Sequence, residues 1–329
     1  MKMQLYDWFS KAEQTCEAFR RSTEARWMEK APALKKNGMK AGRALWILLC
    51  IFLIGGLSFV ILYPLLFMLS MAFRTPTDIG DPSVIWIPKT FTLTNVSEAM
   101  MFMDYWRSFA NSVQLCLVSS ALQILSCALT GYGLARFRFF GKSLVFSLVI
   151  LTIVIPPAVT YAPTYLMYND FRLLDTPFVM YLPALLGVGV KSGLFIYIFR
   201  QFFINLPKEL EDAAYIDGCG HMQTFLKIIL PNAGAALLTV FLFSVVFYWN
   251  DYYVSSMYFT NTRTVSTALA NLNASMSMFE GYEGLRVDPY LKATRMQAGC
   301  LLAIAPLLLL YMVMQHYFVT GMERSGIVG

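Results

Sequence analysis

The sequence predicts an all-α, polytopic membrane protein with six transmembrane helices. Two observations lead there. Of its 329 residues, 57% are hydrophobic and only 14% are charged, with a mean hydropathy of +0.55, whereas a soluble domain carries about 25% charged residues. The apolar residues also fall in runs long enough to cross a bilayer core about 30 Å thick, which takes roughly 20 residues per helix.

The expected spans cover residues 44–73, 107–134, 143–168, 178–203, 232–257 and 296–320. A polar stretch precedes the first, so that span is expected to be an uncleaved anchor rather than a signal peptide. Residues 1–43 hold ten Lys or Arg against five acids, with Lys35, Lys36, Lys40 and Arg43 crowding the first span. By the positive-inside rule the amino terminus is expected to be cytoplasmic. The segment between spans two and three carries Arg136, Arg138 and Lys142 and no acid, which places it on the same side, and an even number of spans returns the carboxyl-terminal tail, 323–329, there too. Within residues 1–30, Leu5, Trp8, Phe9, Ala12, Cys16 and Phe19 recur at helical spacing. Two readings of this amino-terminal extension stand side by side: an interfacial helix on the inner leaflet, and a mobile tail with some helicity.

Composition narrows the chemistry. Cys16, Cys50, Cys116, Cys127, Cys219 and Cys300 form no CxxC pair, which argues against a disulfide framework or a zinc site. The formal charge of +6 resides mainly in the amino-terminal segment and in short loops beside apolar runs, so it reads as topology rather than nucleic-acid binding. Gly141-Lys142-Ser143 resembles the end of a phosphate loop, but Arg136 stands where that motif needs glycine, and the tripeptide opens an apolar run. With two histidines and no acidic cluster in the spans, catalysis has little material.

The informative segment is 205–231, mixed polar and apolar at helical spacing. Pro207 suits a first helical turn, and Leu210, Ala213, Ala214 and Asp217 recur at steps of three and four. Gly218 and Gly220 interrupt this helix, and Phe225, Ile228, Ile229 and Leu230 resume an apolar periodicity up to Pro231. The pattern is helix, sharp turn, helix. Small alanines permit close approach of a partner, and Glu209, Glu211, Asp212 and Asp217 are expected to form an acidic rim.

Asp212-Ala-Ala-Tyr-Ile-Asp217-Gly218, followed by Phe225, Ile228 and Leu230-Pro231, resembles the EAA loop of binding-protein-dependent ABC transporter permeases. Asp212 stands for the family's Glu and keeps its charge; Cys219 stands where a small residue such as Ala is usual. Further likeness to the maltose-permease G-subunit type, in the carbohydrate uptake family, lies in Tyr63-Pro64, Asn111-Ser112, the run from Thr130 to Arg136, Pro156-Pro157, Phe199-Arg200, Trp249-Asn250 and the stretch from Gln315 to Gly321. The resemblance fades in residues 1–43 and in the long loop 256–295.

That resemblance implies a type I importer permease domain over 44–322, built as half of a heterodimer with a second homologous permease. It also implies two cytoplasmic ATPase subunits, which bind ATP and Mg, and an external solute-binding protein; this chain holds no cofactor. Closure of the ATPases would press the two coupling loops together and switch the cavity from inward to outward facing. Glu209, Asp212, Ala213, Ala214, Asp217, Gly218 and Phe225 are assigned to the ATPase contact, and the loop 256–295, with Arg263, Glu280, Glu283, Arg286 and Asp288, to the docked binding protein.

Substrate contacts rest on residue type. Trp249, Asn250 and Tyr252 combine flat aromatic faces with hydrogen-bonding groups, as a sugar requires. The competing reading is an interfacial aromatic belt, since Trp249 falls about 27 Å along a helix begun at Asn232. Lys191 is a charge inside a span, which costs roughly 2.5 to 3.5 kcal/mol at the bilayer centre; it must meet a cavity, a partner, an interface or a backbone break, and Gly187, Gly189 and Gly193 favour a break. An ion-coupled secondary transporter is the alternative class, but it has no use for such a loop, and no inverted repeat is evident. A channel would need a filter segment that the sequence lacks.

Overall fold

The computed structural model describes residues 17, 21, 46–283 and 289–326. The interfacial helix proposed for residues 1–30 lies outside these residues apart from Glu17 and Arg21, an exposed ion pair at 3.6 Å. The chain forms two compact units, divided between Phe67 and Met68. Helix α1, Trp46–Ala72, is long and apolar enough to cross a bilayer. Its apolar residues lie on every face, which only a non-aqueous environment tolerates.

Beyond Ala72 the chain forms a cap before the second span. It comprises α2 (Pro76–Gly80) and α3 (Thr94–Phe102). Arg74 is buried and donates to Ser70 Oγ and to Ile85 O, and Asn95 donates to Ala72 O and Arg74 O. These bonds satisfy the backbone of a segment with no sheet or long helix of its own.

Helix α4, Tyr105–Arg136, is the hub. Residues 178–185, 192–205 and 234–249 pack directly on it. Its core face runs Ser112, Cys116, Ser119, Ser120, Gln123, Cys127, Gly131, Tyr132, a seam of small and polar residues as expected where helices associate without a hydrophobic drive from water. Three further expected spans are not single helices. Residues 142–170 form α5 (Lys142–Val154) and α6 (Ala158–Asp170), bent by 101°. Pro156 and Pro157 sit at the bend, where they have no amide hydrogen to donate. The fourth expected span divides into α7 (Phe178–Leu185) and α8 (Ser192–Asn205). Gly187 at φ +71 and Lys191 at φ +58 turn the chain between them. Buried Gln123 donates to Val190 O at 2.6 Å and to Ser192 Oγ at 3.0 Å, which satisfies polar groups freed by the break.

The segment 205–231 follows, with α9 (Glu209–Ile216) and α10 (His221–Asn232). Residues Phe225–Ile229 of α10 form a π-helical turn. Helix α11 (Gly234–Trp249) leaves α10 at 79°, so the fifth expected span begins with a sharp corner at Ala233 and ends short of 257. The expected loop 256–295 is largely helical: α12 (Tyr253–Tyr258), α13 (Val265–Ala270), α14 (Leu272–Glu283) and the start of α15 (Pro289–Gly326). Thr264 and Thr267 form a capping box for α13, and Asp251 accepts from the Ser255 amide at the start of α12. These are local signals that a purely apolar reading passes over. Arg286 and Asp288 lie outside the described residues. Helix α15 runs beyond 320, so the expected tail begins inside it.

Two cores result. One, near the 205–231 segment, gathers Phe195, Phe199, Phe203, Phe225, Ile229 and Tyr132. The other, at the opposite end, gathers Tyr168, Val179, Tyr248, Trp249, Tyr258 and Leu272. There the Asp175 carboxylate accepts from the amides of Thr260 (3.2 Å), Asn261 (3.0 Å) and Thr262 (3.1 Å) and from the Asn261 side chain. Burial alone would push its pKa up; the Asn261, Thr262 and Thr260 donors outweigh that and hold it below the usual carboxylate range. A depressed folded-state pKa means that the tie is complete above pH ~4 and weakens as pH falls through the folded value. Proteolysis within 259–264 is therefore expected to be slow at pH 7, faster as the medium is acidified below pH ~4, and already fast at pH 7 in Asp175→Ala. Equal cleavage of wild type and variant would count against the tie.

Candidate functional site

The polar hairpin 205–231 is built by local chemistry. Glu209, Glu211 and Asp212 occupy the first turn of α9, where carboxylates meet the positive end of the helix. At the other end Gly218 adopts φ +81, with Cys219 N donating to Ala214 O at 2.9 Å and Gly218 N to Tyr215 O at 3.1 Å. That pair of bonds is a Schellman closure, and the left-handed position is the one glycine occupies without penalty. Tyr215 Oη lies 2.9 Å from His221 Nδ1, tying the first limb to the second.

Glu209, Asp212, Ala213, Asp217 and Gly218 are exposed along the tip. Ala214 and Phe225, assigned with them to a surface contact, are turned inward: Ala214 is 2% exposed and Phe225 1%, with the Phe225 ring 5.0 Å from that of Tyr132. Phe225 opens the π turn that carries the chain back into the apolar core, so its side chain belongs to that core. Glu211, expected on the acidic rim, is buried with its Oε1 2.8 Å from Arg136 Nε. The residue that the pattern missed is Ile216, which is 86% exposed between Asp212 and Asp217, with Met222 also exposed nearby. A lone apolar residue inside an acidic motif was the available signal.

The second candidate region lies at the far end. Trp249, Asn250, Tyr252, Val265, Ser266, Leu269, Ala270 and Ala303 line an open cavity of about 270 Å³. Trp249 is buried, its Nε1–H donates to Ala303 O at 3.0 Å, and its ring meets Phe109 edge-on. It is a wall of the cavity, not a belt residue turned to lipid. Asn250 donates back to Val246 O, and Tyr252 is exposed. Lys191 is not part of this cavity. It stands exposed at the α7–α8 break with, among the described residues, no carboxylate in ion-pair range. The charged loop residues are dispersed: Glu280 pairs with Lys292 at 2.7 Å, and the Arg263 carbonyl accepts from Asn111.

Long apolar helices, two bent pairs and a polar hairpin between broken spans define an integral membrane transport component. The chain belongs to the family described as binding-protein-dependent transport system inner membrane component, which it matches over residues 128–324. It is 29% identical over 279 residues to the arabinooligosaccharides transport system permease protein AraQ of Halalkalibacterium halodurans, covering 83% of this chain and 93% of that one. It is 29% identical over 252 residues to the melibiose/raffinose/stachyose import permease protein MelC of Bacillus subtilis, covering 76% and 86%. In fold it is similar to a chain of a bacterial ABC transporter involved in the import of the acidic polysaccharide alginate, with a TM-score of 0.70, 21% identity, and coverage of 84% of this chain and 97% of that one.

Proposed function

We propose that this chain is one permease of a heterodimeric pair in an ATP-driven importer of sugars or oligosaccharides in a bacterial cytoplasmic membrane. Hairpin 205–231 is its contact with a separate ATPase, which binds ATP and Mg and performs the hydrolysis. Both termini are cytoplasmic in this reading, and the far end, with α12–α14, receives the solute-binding protein. The observation that carries the proposal is the exposed face of α9, where Glu209, Asp212 and Asp217 are exposed together with Ile216. An apolar knob within a like-charged rim suits a basic partner pocket. A saccharide cargo is supported by the cargoes named for AraQ and MelC, and by a cavity with an indole wall and the polar groups of Asn250 and Tyr252 at its edge.

The test is co-purification in mild detergent with the neighbouring permease and candidate ATPase. Wild type is expected to retain the ATPase, and a Gly218→Pro, Asp212→Lys double variant to lose it while still inserting in the membrane. An ATPase that never associates, or that binds both forms equally, would overturn the assignment.

A further inference from the structure

The end of α4 carries more cations than its own carbonyls require. Arg200 Nε donates to Leu134 O at 3.3 Å, and Lys142 Nζ to Ala135 O at 3.3 Å and Phe137 O at 2.9 Å. These bonds cap the helix's last turn, where unpaired carbonyls and the negative end of the dipole attract positive charge. Arg136, in that same turn, is thereby released to reach away from its own helix. Its Nη2 donates to Leu206 O at 2.7 Å, and its Nε lies 2.8 Å from Glu211 Oε1. Leu206 ends α8, and Glu211 is in the first turn of α9.

We propose that Arg136 is a positioning residue that latches α9 to the membrane helices, so that a displacement of the hairpin is passed to α4 and α8 together. The role of the hairpin as ATPase contact is the reading this rests on. Without the latch, α9 hangs from the short turn between Leu206 and Lys208 and can pivot there. With it, the ends of α4, α8 and α9 form a closed triangle whose shared vertex is one guanidinium. The guanidinium donates to Leu206 O through Nη2 while its delocalised charge holds Glu211 Oε1 as an ion pair, a division of roles that the compact ammonium of a lysine does not reproduce. Both side chains are almost wholly buried, at 7% and 10% exposure. The pair is therefore poorly screened by salt, and removal of either partner strands the other as a buried charge.

The test uses the full chain with Arg136→Gln, Glu211→Gln, the double variant, and Arg136→Lys. In the detergent-solubilised permease, amide hydrogen exchange over 209–217 is expected to rise about tenfold in each Gln single and no further in the double, because the two residues act as one unit. Exchange in the middle of α4 and α8 is expected to stay at the wild-type rate. Arg136→Lys, which keeps the charge and so folds, is expected to fall between. In the reconstituted complex with its binding protein, the ATPase is expected to remain bound and the KM for ATP to be unchanged, while stimulated kcat falls about tenfold, since a loose lever loses the stroke rather than the nucleotide. Unchanged exchange over 209–217 overturns the latch, as does raised exchange with undiminished stimulation. Failure of wild type to retain the ATPase overturns the ATPase reading alone, because the exchange measurement needs no partner.

Discussion

Ile216→Asp is expected to abolish stable association with the ATPase while leaving the permease folded. Ile216 is 86% exposed at the tip of α9, so its replacement removes nothing from the interior. Burial of such a side chain in a partner contributes about 1.5 to 3 kcal/mol, roughly ten- to a hundredfold in affinity at 1.4 kcal/mol per factor of ten. An additional carboxylate beside Asp212 and Asp217 also raises like-charge repulsion at the rim. Ile216→Leu conserves the apolar area and is expected to bind as wild type. The measurement is ATPase retained on immobilised permease through successive washes, with circular dichroism as the check on folding. Retention of the ATPase by the Asp variant at the wild-type level would remove Ile216 from the interface.

Gly131→Val is expected to be strongly destabilising. A Cβ at this position would lie 2.7 Å from Phe199 Cβ and 3.0 Å from the Arg200 backbone nitrogen. Contacts that short require α8 itself to move, and overpacking of this kind costs typically 1 to 3 kcal/mol. A displaced α8 would also draw Arg200 away from Leu134 O. Loss of monodisperse protein on heating in detergent should therefore occur several degrees lower, at roughly 2 to 4 °C per kcal/mol for a domain of this size. Gly133 supplies the control, because a Cβ there meets nothing within 4 Å. Gly133→Val is expected to melt close to wild type, and indistinguishable melting of the two variants would mean that the α4–α8 crossing is not tightly packed.

The helical, membrane-spanning character was legible because hydropathy is a property of the chain alone. So were α9, its glycine stop and the return at Pro231, which rest on caps, turns and spacing. The orientation of α9 was not. Periodicity groups Leu210, Ala213, Ala214 and Asp217 on one face, whereas the inward residues are Glu211 and Ala214. The reason is Arg136, 75 positions earlier in the chain, whose charge draws an acid inward against the apolar pattern. Breaks were legible in part. Gly187 and Gly189 indicated the interruption at Lys191, but Pro156-Pro157 does not reveal a 101° turn, since prolines in membrane helices are also accommodated by neighbouring helices with far smaller kinks. Trp249 was legible as a residue able to face a ligand, yet its indole N–H is engaged by Ala303, 54 residues later.

The bends between α5 and α6 and between α10 and α11 bear on how fast such a bundle can change shape. A continuous helix in hydrocarbon must rupture backbone hydrogen bonds to fold, each at a cost of several kcal/mol. At Ile155–Pro157 and at Ala233 the ladder is already interrupted, so the flanking rods can swivel about a few dihedral angles with their internal bonding intact. For any rearrangement about these bends, the barrier is then expected to come from side chains sliding past one another, a viscous rather than a bond-breaking process.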